Sequence, residues 1–301
     1  MSSQLSGKAP DRLFDGYAFD LDGTVYLGDS ALPGAVQAIR RLREAGSRVV
    51  FVTNNPLATA QRYAQKLSRM GIDAGATDVI TALDSLLGYL RQAHPAAQVL
   101  AIAEPLVAEV LTAAGFPVTG NPARAEVVVV SFDRTFDYVK LNAAYRAVRL
   151  HGAPLVATNP DPYCPTPDGG LPDCAAMLAA VEACTGARAE AVTGKPSQHM
   201  ADVVLDRLGL PAGHAALVGD RLATDMAMAQ RGGMHGILVR ATTAPAPRTG
   251  APPIAVQSNA VQRPAVQPAY VIDSLRQLIP DRASRPGSSS LALPSAVKEH
   301  D

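Results

Sequence analysis

Gly16-Tyr17-Ala18-Phe19-Asp20-Leu21-Asp22-Gly23-Thr24 is the stretch on which the reading of this 301-residue chain turns. An apolar run of strand length ends in two acids two positions apart, and Gly23-Thr24 offers a tight departure. If the strand continues locally, such positions share a side, so Asp20 and Asp22 are expected to point the same way. One carboxylate can attack while the other handles a proton, provided their surroundings differ. About two hundred residues later, Leu217-Val218-Gly219 leads into Asp220-Arg221-Leu222-Ala223-Thr224-Asp225, a second apolar run closed by acids. Ligands of open α/β sheets collect where the strands end. Four acids at one such edge form a dense negative site, stable only around a cation or a proton. A surface Asp-x-Asp-Gly turn would use the same letters as the first segment.

Working outward, strand and helix patterns alternate. A helix is predicted over 33–45, opened by proline and closed by Gly46, then a strand over 47–52 and a helix over about 58–70. This order implies parallel βαβ units with helices on both faces, an α/β fold. The middle has its own rhythm: strands over 99–103, 126–131 and 154–157, helices over 105–114, 138–150 and about 173–184. The first pattern then resumes, with helices over 197–208 and 222–230, strands over 215–218 and 236–239, and a closing strand-helix piece over 269–278. The arrangement predicts a discontinuous core of residues 13–82 and 190–281, an inserted α/β domain over 83–189, and flexible termini over 1–12 and 282–301. Residues 242–267, rich in Pro, Ala and Thr, read as a long surface excursion.

Composition narrows the function classes. Lys plus Arg and Asp plus Glu are both 27, so no nucleic-acid or anionic-membrane surface is expected. No apolar stretch reaches transmembrane length, and the polar start lacks the apolar core of a secretory signal. The three cysteines, Cys164, Cys174 and Cys184, are ten apart and odd in number. That spacing fits neither a zinc motif nor a disulfide framework. Cys174 and Cys184 are expected to pack as small apolar groups in a protein of the reducing cytoplasm. A nicotinamide-binding Gly-x-Gly-x-x-Gly is missing after the first strand.

Two further segments carry hydrogen-bonding or charged groups. Val50-Phe51-Val52 ends in Thr53-Asn54-Asn55, where Thr53 and Asn54 can meet phosphate oxygens together with the amides of the next helix. Helix capping by Asn55 before Pro56 is the competing reading. In Thr193-Gly194-Lys195-Pro196, a stiff turn holds a lysine able to offset charge on a phosphate or on the acids, an ordinary surface turn lysine being the competing reading. Mg²⁺ prefers hard oxygens, commonly one or two carboxylates with phosphate and water. Asp220 fits a strand-end ligand, and Asp225 either ligates, directly or through water, or caps its helix.

Taken in order, Asp20-Leu21-Asp22-Gly23-Thr24, Thr53, Lys195, and Asp220 with Asp225 resemble the four motifs of the haloacid dehalogenase superfamily of phosphohydrolases. More narrowly, the chain resembles subfamily IIA, the p-nitrophenyl-phosphatase-like enzymes acting on nucleotides, phosphoglycolate, pyridoxal phosphate and sugar phosphates. Thr24-Val25-Tyr26-Leu27-Gly28, Phe132-Asp133-Arg134 and Ala157-Thr158-Asn159-Pro160-Asp161 support this. The resemblance implies a Rossmann-like core, a parallel sheet with helices on both faces, carrying an inserted α/β cap of the C2 type. It implies a Mg²⁺-dependent phosphomonoester hydrolase in which Asp20 forms an aspartyl-phosphate and Asp22 serves as acid and base. Mg²⁺ would be held by the Asp20 carboxylate, the Asp22 backbone carbonyl and Asp220, with Asp225 supporting. Thr53, Asn54 and Lys195 would cradle the phosphoryl oxygens.

Asn159 and Asp161 are expected either to help select the leaving group or to form a turn at a domain hinge. The expected partner is a small-molecule phosphate ester, with no nucleic acid or membrane; a homodimer is left open. A phosphotransferase or mutase on the same core, and a non-catalytic phosphate-ligand sensor, are the alternatives.

Overall fold

The computed structural model describes residues 8–164, 170–240 and 266–280, and it resolves the alternation into two larger parallel sheets. Strand β1 (Gly16–Asp20) is followed by a hairpin of β2 (Tyr26–Leu27) and β3 (Ser30–Ala31), helix α1 (Ala35–Glu44), β4 (Arg48–Thr53), α2 (Ala60–Arg69) and β5 (Val79–Thr81). Helix α3 (Ala82–Ala93) leads into a second unit. It comprises β6 (Val99–Ile102), α4 (Pro105–Ala113), β7 (Val127–Val130), α5 (Tyr138–Tyr145), β8 (Leu155–Ala157), an antiparallel pair of β9 (Tyr163–Cys164) and β10 (Leu171–Pro172), α6 (Cys174–Thr185) and β11 (Ala191–Val192). The chain returns through α7 (Gln198–Leu208), β12 (Ala215–Gly219), α8 (Ala227–Arg231), β13 (His235–Val239) and β14 (Tyr270–Ile272).

The core sheet has the order β14-β13-β12-β1-β4-β5, with every neighbouring pair parallel. Tyr17, Phe19 and Phe51 pack toward α1 and α2, while Ala18, Val50, Val52 and Leu217 pack toward α7 and α8. Both faces are covered, which is why these strands read as unbroken apolar runs rather than alternating ones. The second sheet, β11-β8-β7-β6, is likewise parallel and covered on both faces. Val127 and Val129 meet α3 and α4; Val128 and Val130 meet α5 and α6. The inserted α/β unit thus has a core of its own.

Several local expectations change. Strand β5 was not foreseen, because three residues, Val79-Ile80-Thr81, make too short a run to stand out, and helix α3 starts at the boundary expected between core and inserted unit. Helix α3 starts from a capping box in which Asp84 accepts from the Thr81 amide at 2.7 Å and the Thr81 hydroxyl lies on the Asp84 amide at 3.4 Å. The inserted sheet extends to Val192, just past the sequence boundary at 189, because β11 pairs with β8. The helices expected over 138–150 and 222–230 each contain a wider π-type turn, Arg146–Leu150 and Leu222–Met226.

Residues 8–12, expected to be flexible, run beside β14: the Lys8 carbonyl accepts from the Val271 amide, and Pro10 is buried. Cys174 is buried as expected, but Cys184 lies on the exposed face of α6. Most of the excursion over 242–267, and the tail from 282, lie outside the described residues. Among the described residues no helix is long and apolar enough to cross a membrane.

Candidate active site

Sheet register brings three strand ends level. Asp20 closes β1 opposite Val52 of β4, so Thr53 stands one residue further along. Phe19 pairs with Val218 of β12, which puts Gly219 beside Asp20 and Asp220 just beyond. The edge where these parallel strands end therefore receives the sequence-predicted groups from three separate segments.

Lys195 arrives from between β11 and α7, and its side chain is buried. Its Nζ donates to Asp20 Oδ1 at 2.5 Å and to Asp225 Oδ1 at 2.7 Å. Asp225 Oδ2 accepts from the Arg221 amide at 3.1 Å. Asp220 Oδ1, also buried, has no hydrogen-bond donor among the described residues. One oxygen from each of Asp20, Asp220 and Asp225 lies within 4.8 Å of the others. Gly23 adopts a left-handed φ of 90°, and a Cβ there would stand 2.6 Å from Asp220 Oδ2. A side chain at Gly23 would thus crowd the unpartnered carboxylate. Hard oxygen donors with one buried oxygen unmatched fit a divalent cation.

The electrostatics point the same way. Burial pushes the Asp20 carboxyl up to about 8; Lys195 opposes the shift, while Asp225 and Asp220 add to it. Burial, joined by repulsion from Asp225, also raises Asp220. Burial raises Asp22, against the pull of Lys66, Lys195 and the Tyr26 hydroxyl. For Lys195, burial disfavours the charge, but Asp20 and Asp225 outweigh it and hold the ammonium above the ordinary lysine value. Burial and mutual repulsion thus favour the neutral forms of Asp20 and Asp220, and the Lys195 charge opposes this.

The other predicted residues divide into two groups. Asp22 stands apart from the three clustered carboxylates; its Oδ2 accepts from the Tyr26 hydroxyl at 3.4 Å. Thr53 Oγ1 accepts from the Asn55 amide at 3.1 Å. Asn54, expected on phosphate, is committed to protein. Its Oδ1 accepts from the Lys195 amide at 2.7 Å, and its Nδ2 donates to the Lys195 carbonyl at 3.0 Å and to Asp161 Oδ2 at 2.9 Å. Asn159 Nδ2 donates to the Asn54 carbonyl at 3.2 Å, and its Oδ1 accepts from the Asp161 amide at 2.9 Å. Both residues of the inserted unit are buried, and these contacts favour the hinge-turn reading over direct selection of a leaving group.

Tyr26, Lys66 and Arg221 were given no role from sequence. The turn from Leu21 to Tyr26 is closed by the Gly23 amide on the Tyr26 carbonyl at 2.9 Å, so the spacing of four from Asp22 was a usable signal. Lys66 lies over the Tyr26 ring, 3.9 Å from its centroid. Arg221 Nη1 stands 3.6 Å from Asp161 Oδ1, a partnership across sixty residues that no local pattern signals.

Acids, a lysine and a cation-ready pocket at the edge of a parallel α/β sheet define a class of enzymes that manage phosphoryl charge. Residues 17–117 match the family model described as haloacid dehalogenase-like hydrolase, and residues 192–278 match a second model of the same kind. The sugar-phosphatase AraL of Bacillus subtilis is 31% identical over 87% of this chain and 91% of its own length. A 4-nitrophenylphosphatase from Thermotoga maritima superposes with a TM-score of 0.77 at 31% identity, covering 88% of this chain and 96% of that one. A glycerol phosphate phosphatase from Mycobacterium tuberculosis, solved with magnesium, gives a TM-score of 0.75 at 32% identity over 88% of this chain and 77% of that one. The chain belongs to the haloacid dehalogenase-like hydrolases, and it is a phosphatase of that superfamily.

Proposed function

We propose that this chain is a divalent-cation-dependent phosphomonoester hydrolase for small soluble phosphates, polyol and sugar phosphates foremost, with Asp20 as nucleophile and Asp22 as acid and base. The observation that carries the reading is the Lys195 ammonium held between Asp20 and Asp225, beside the unpartnered Asp220 oxygen. The names of the relatives support a small phosphate ester as substrate.

The Asp20 carboxylate attacks phosphorus, and the ester P–O bond breaks. Asp22, whose burial favours the protonated form, gives its proton to the leaving oxygen. The resulting Asp22 carboxylate then takes a proton from water, and the water oxygen attacks the phosphorus of the aspartyl-phosphate. Inorganic phosphate departs and both acids are restored. Lys195 has three N–H groups, two of them engaged by Asp20 and Asp225, so the third is available to a phosphoryl oxygen. Thr53 stands at the same edge.

The Asp20 carboxylate, the Asp22 carbonyl and Asp220 would hold Mg²⁺. Asp225 supports them, since its two oxygens are taken by Lys195 and the Arg221 amide. A bound Mg²⁺ would supply the positive charge that keeps Asp20 ionised and screens the phosphoryl oxygens. Purified protein should hydrolyse p-nitrophenyl phosphate with Mg²⁺, stop when a chelator is added, and be inactive as Asp20→Asn. Undiminished turnover by that variant would overturn the nucleophile assignment.

A further inference from the structure

We propose that Asp161 is a positioning residue through which the inserted unit aligns both arms of the phosphate cradle. This role rests on the hydrolase reading of the site.

The two oxygens of Asp161 serve different arms. Oδ2 accepts from Asn54 Nδ2 at 2.9 Å, and Oδ1 faces Arg221 Nη1 at 3.6 Å. Asn54 in turn grips the amide and carbonyl of Lys195. The Arg221 amide grips Asp225 Oδ2. Lys195 Nζ and Asp225 Oδ1 meet at 2.7 Å. Asp161, Asn54, Lys195, Asp225 and Arg221 thus form a closed circuit, and Asp161 is its one member from the inserted unit.

Asp161 is itself fixed within that unit. Its amide donates to Asn159 Oδ1 at 2.9 Å, and its carbonyl accepts from the Ala175 amide at 3.1 Å at the start of α6. The geometry leaves little slack. A Cβ on Gly194, the residue before Lys195, would lie 2.4 Å from the Thr158 carbonyl and 2.6 Å from Asn54 Oδ1. A carboxylate anchored in this way transmits the position of the inserted unit to the lysine and to the supporting acid. It does so without touching the reacting atoms. Hydrogen-bonded partners standing behind a site of this kind commonly govern its activity, because small misplacements of reactive groups are costly.

The test compares Asp161→Ala and Asp161→Asn with the parent enzyme on p-nitrophenyl phosphate and on glycerol phosphate. Asp161→Ala should lower kcat by about 10–100-fold with little change in KM, and by the same factor for both esters, since the defect lies in the cradle. Asp161→Asn keeps an acceptor for Asn54 and should recover part of that loss. The double variant Asn54→Ala/Asp161→Ala should lose less than the two single losses combined, because the Asn54 arm is shared and only the Arg221 arm is lost in addition. Hydrogen exchange at Gly194 and Lys195 should quicken in Asp161→Ala, a readout that does not depend on turnover. A rise in KM that differs between the esters with kcat unchanged, additive losses in the double variant, or unaltered exchange would each overturn the proposal. A parent enzyme inactive on every ester would instead sink the hydrolase reading, while the exchange result would still report on the circuit.

Discussion

Asn54 holds Lys195 by both poles of its backbone, accepting from its amide at 2.7 Å and donating to its carbonyl at 3.0 Å. The lysine that reaches Asp20 is therefore aimed by its backbone as well as by its charge. Asn54→Ala should leave both backbone groups of Lys195 without these partners in a buried place. A loss of about 2 kcal/mol in stability, by the cost of unmet buried hydrogen bonds, is expected. Urea denaturation measures that loss, and steady-state assays should give kcat down by about tenfold or more.

Lys195→Met keeps the bulk and removes the cation. Asp20 and Asp225 then face each other with less compensation, and breaking a buried pair in this way costs about 3–5 kcal/mol. Turnover should vanish. Because the loss falls on ionised carboxylates, the drop in melting temperature should be larger at pH 8 than at pH 5.

The metal-free protein has its own pH signature. Asp20 is raised from 3.8 to about 8, so the folded form keeps a proton that the unfolded chain releases across that interval. Its contribution to stability is present in full below about pH 4 and is lost as pH climbs toward 8. Asp20→Asn should flatten this slope. Added Mg²⁺ should raise the melting temperature more at pH 8 than at pH 5, since at the lower pH it competes with the proton. Calorimetric scans at several pH values, with and without chelator, check both statements.

Tyr26 and Lys66 act on Asp22 in the same direction: both lower a carboxyl that burial raises. Tyr26→Phe and Lys66→Met should each move the upper limb of the pH profile of kcat/KM toward higher pH, because Asp22 keeps its proton longer. A limb that stays in place or moves down would exclude the effect.

Gly23→Ala should harm ion binding before chemistry. Its φ of 90° and the 2.6 Å approach of a Cβ to Asp220 Oδ2 both oppose a side chain. Titration calorimetry should show weaker Mg²⁺ binding, with a fold destabilised by about 1–2 kcal/mol from backbone strain.

The acids were legible because each sits at the end of an apolar run, where chain order alone foretells the edge of a parallel sheet. Lys195 was legible from its turn between glycine and proline. The roles of Asn54 and Asp161 were not. Their partners lie 107 and 141 residues away in sequence, and asparagine at a strand end serves a ligand or a backbone equally well. Strand β5 escaped for a simpler reason, since three residues cannot display a period. Cys184 misled because a small thiol fits either face of a helix, and only the packing of α6 decides between them.

The wiring of the core sheet has a temporal side. Strand β1 is flanked by β4, made soon after it, and by β12, made only after the whole inserted unit. A nascent chain can present Asp20 beside Thr53 early, yet Asp220 and Asp225 come only with β12 and the turn beyond it. Asp20, the proposed nucleophile, is thus synthesised before the other groups of the site, and Asp220 and Asp225 after them. Long-range parallel pairing is slow to close, so hydrolytic competence awaits the synthesis of β12 and of the turn that carries Asp225, and shorter ribosome-bound fragments carry an unfinished edge.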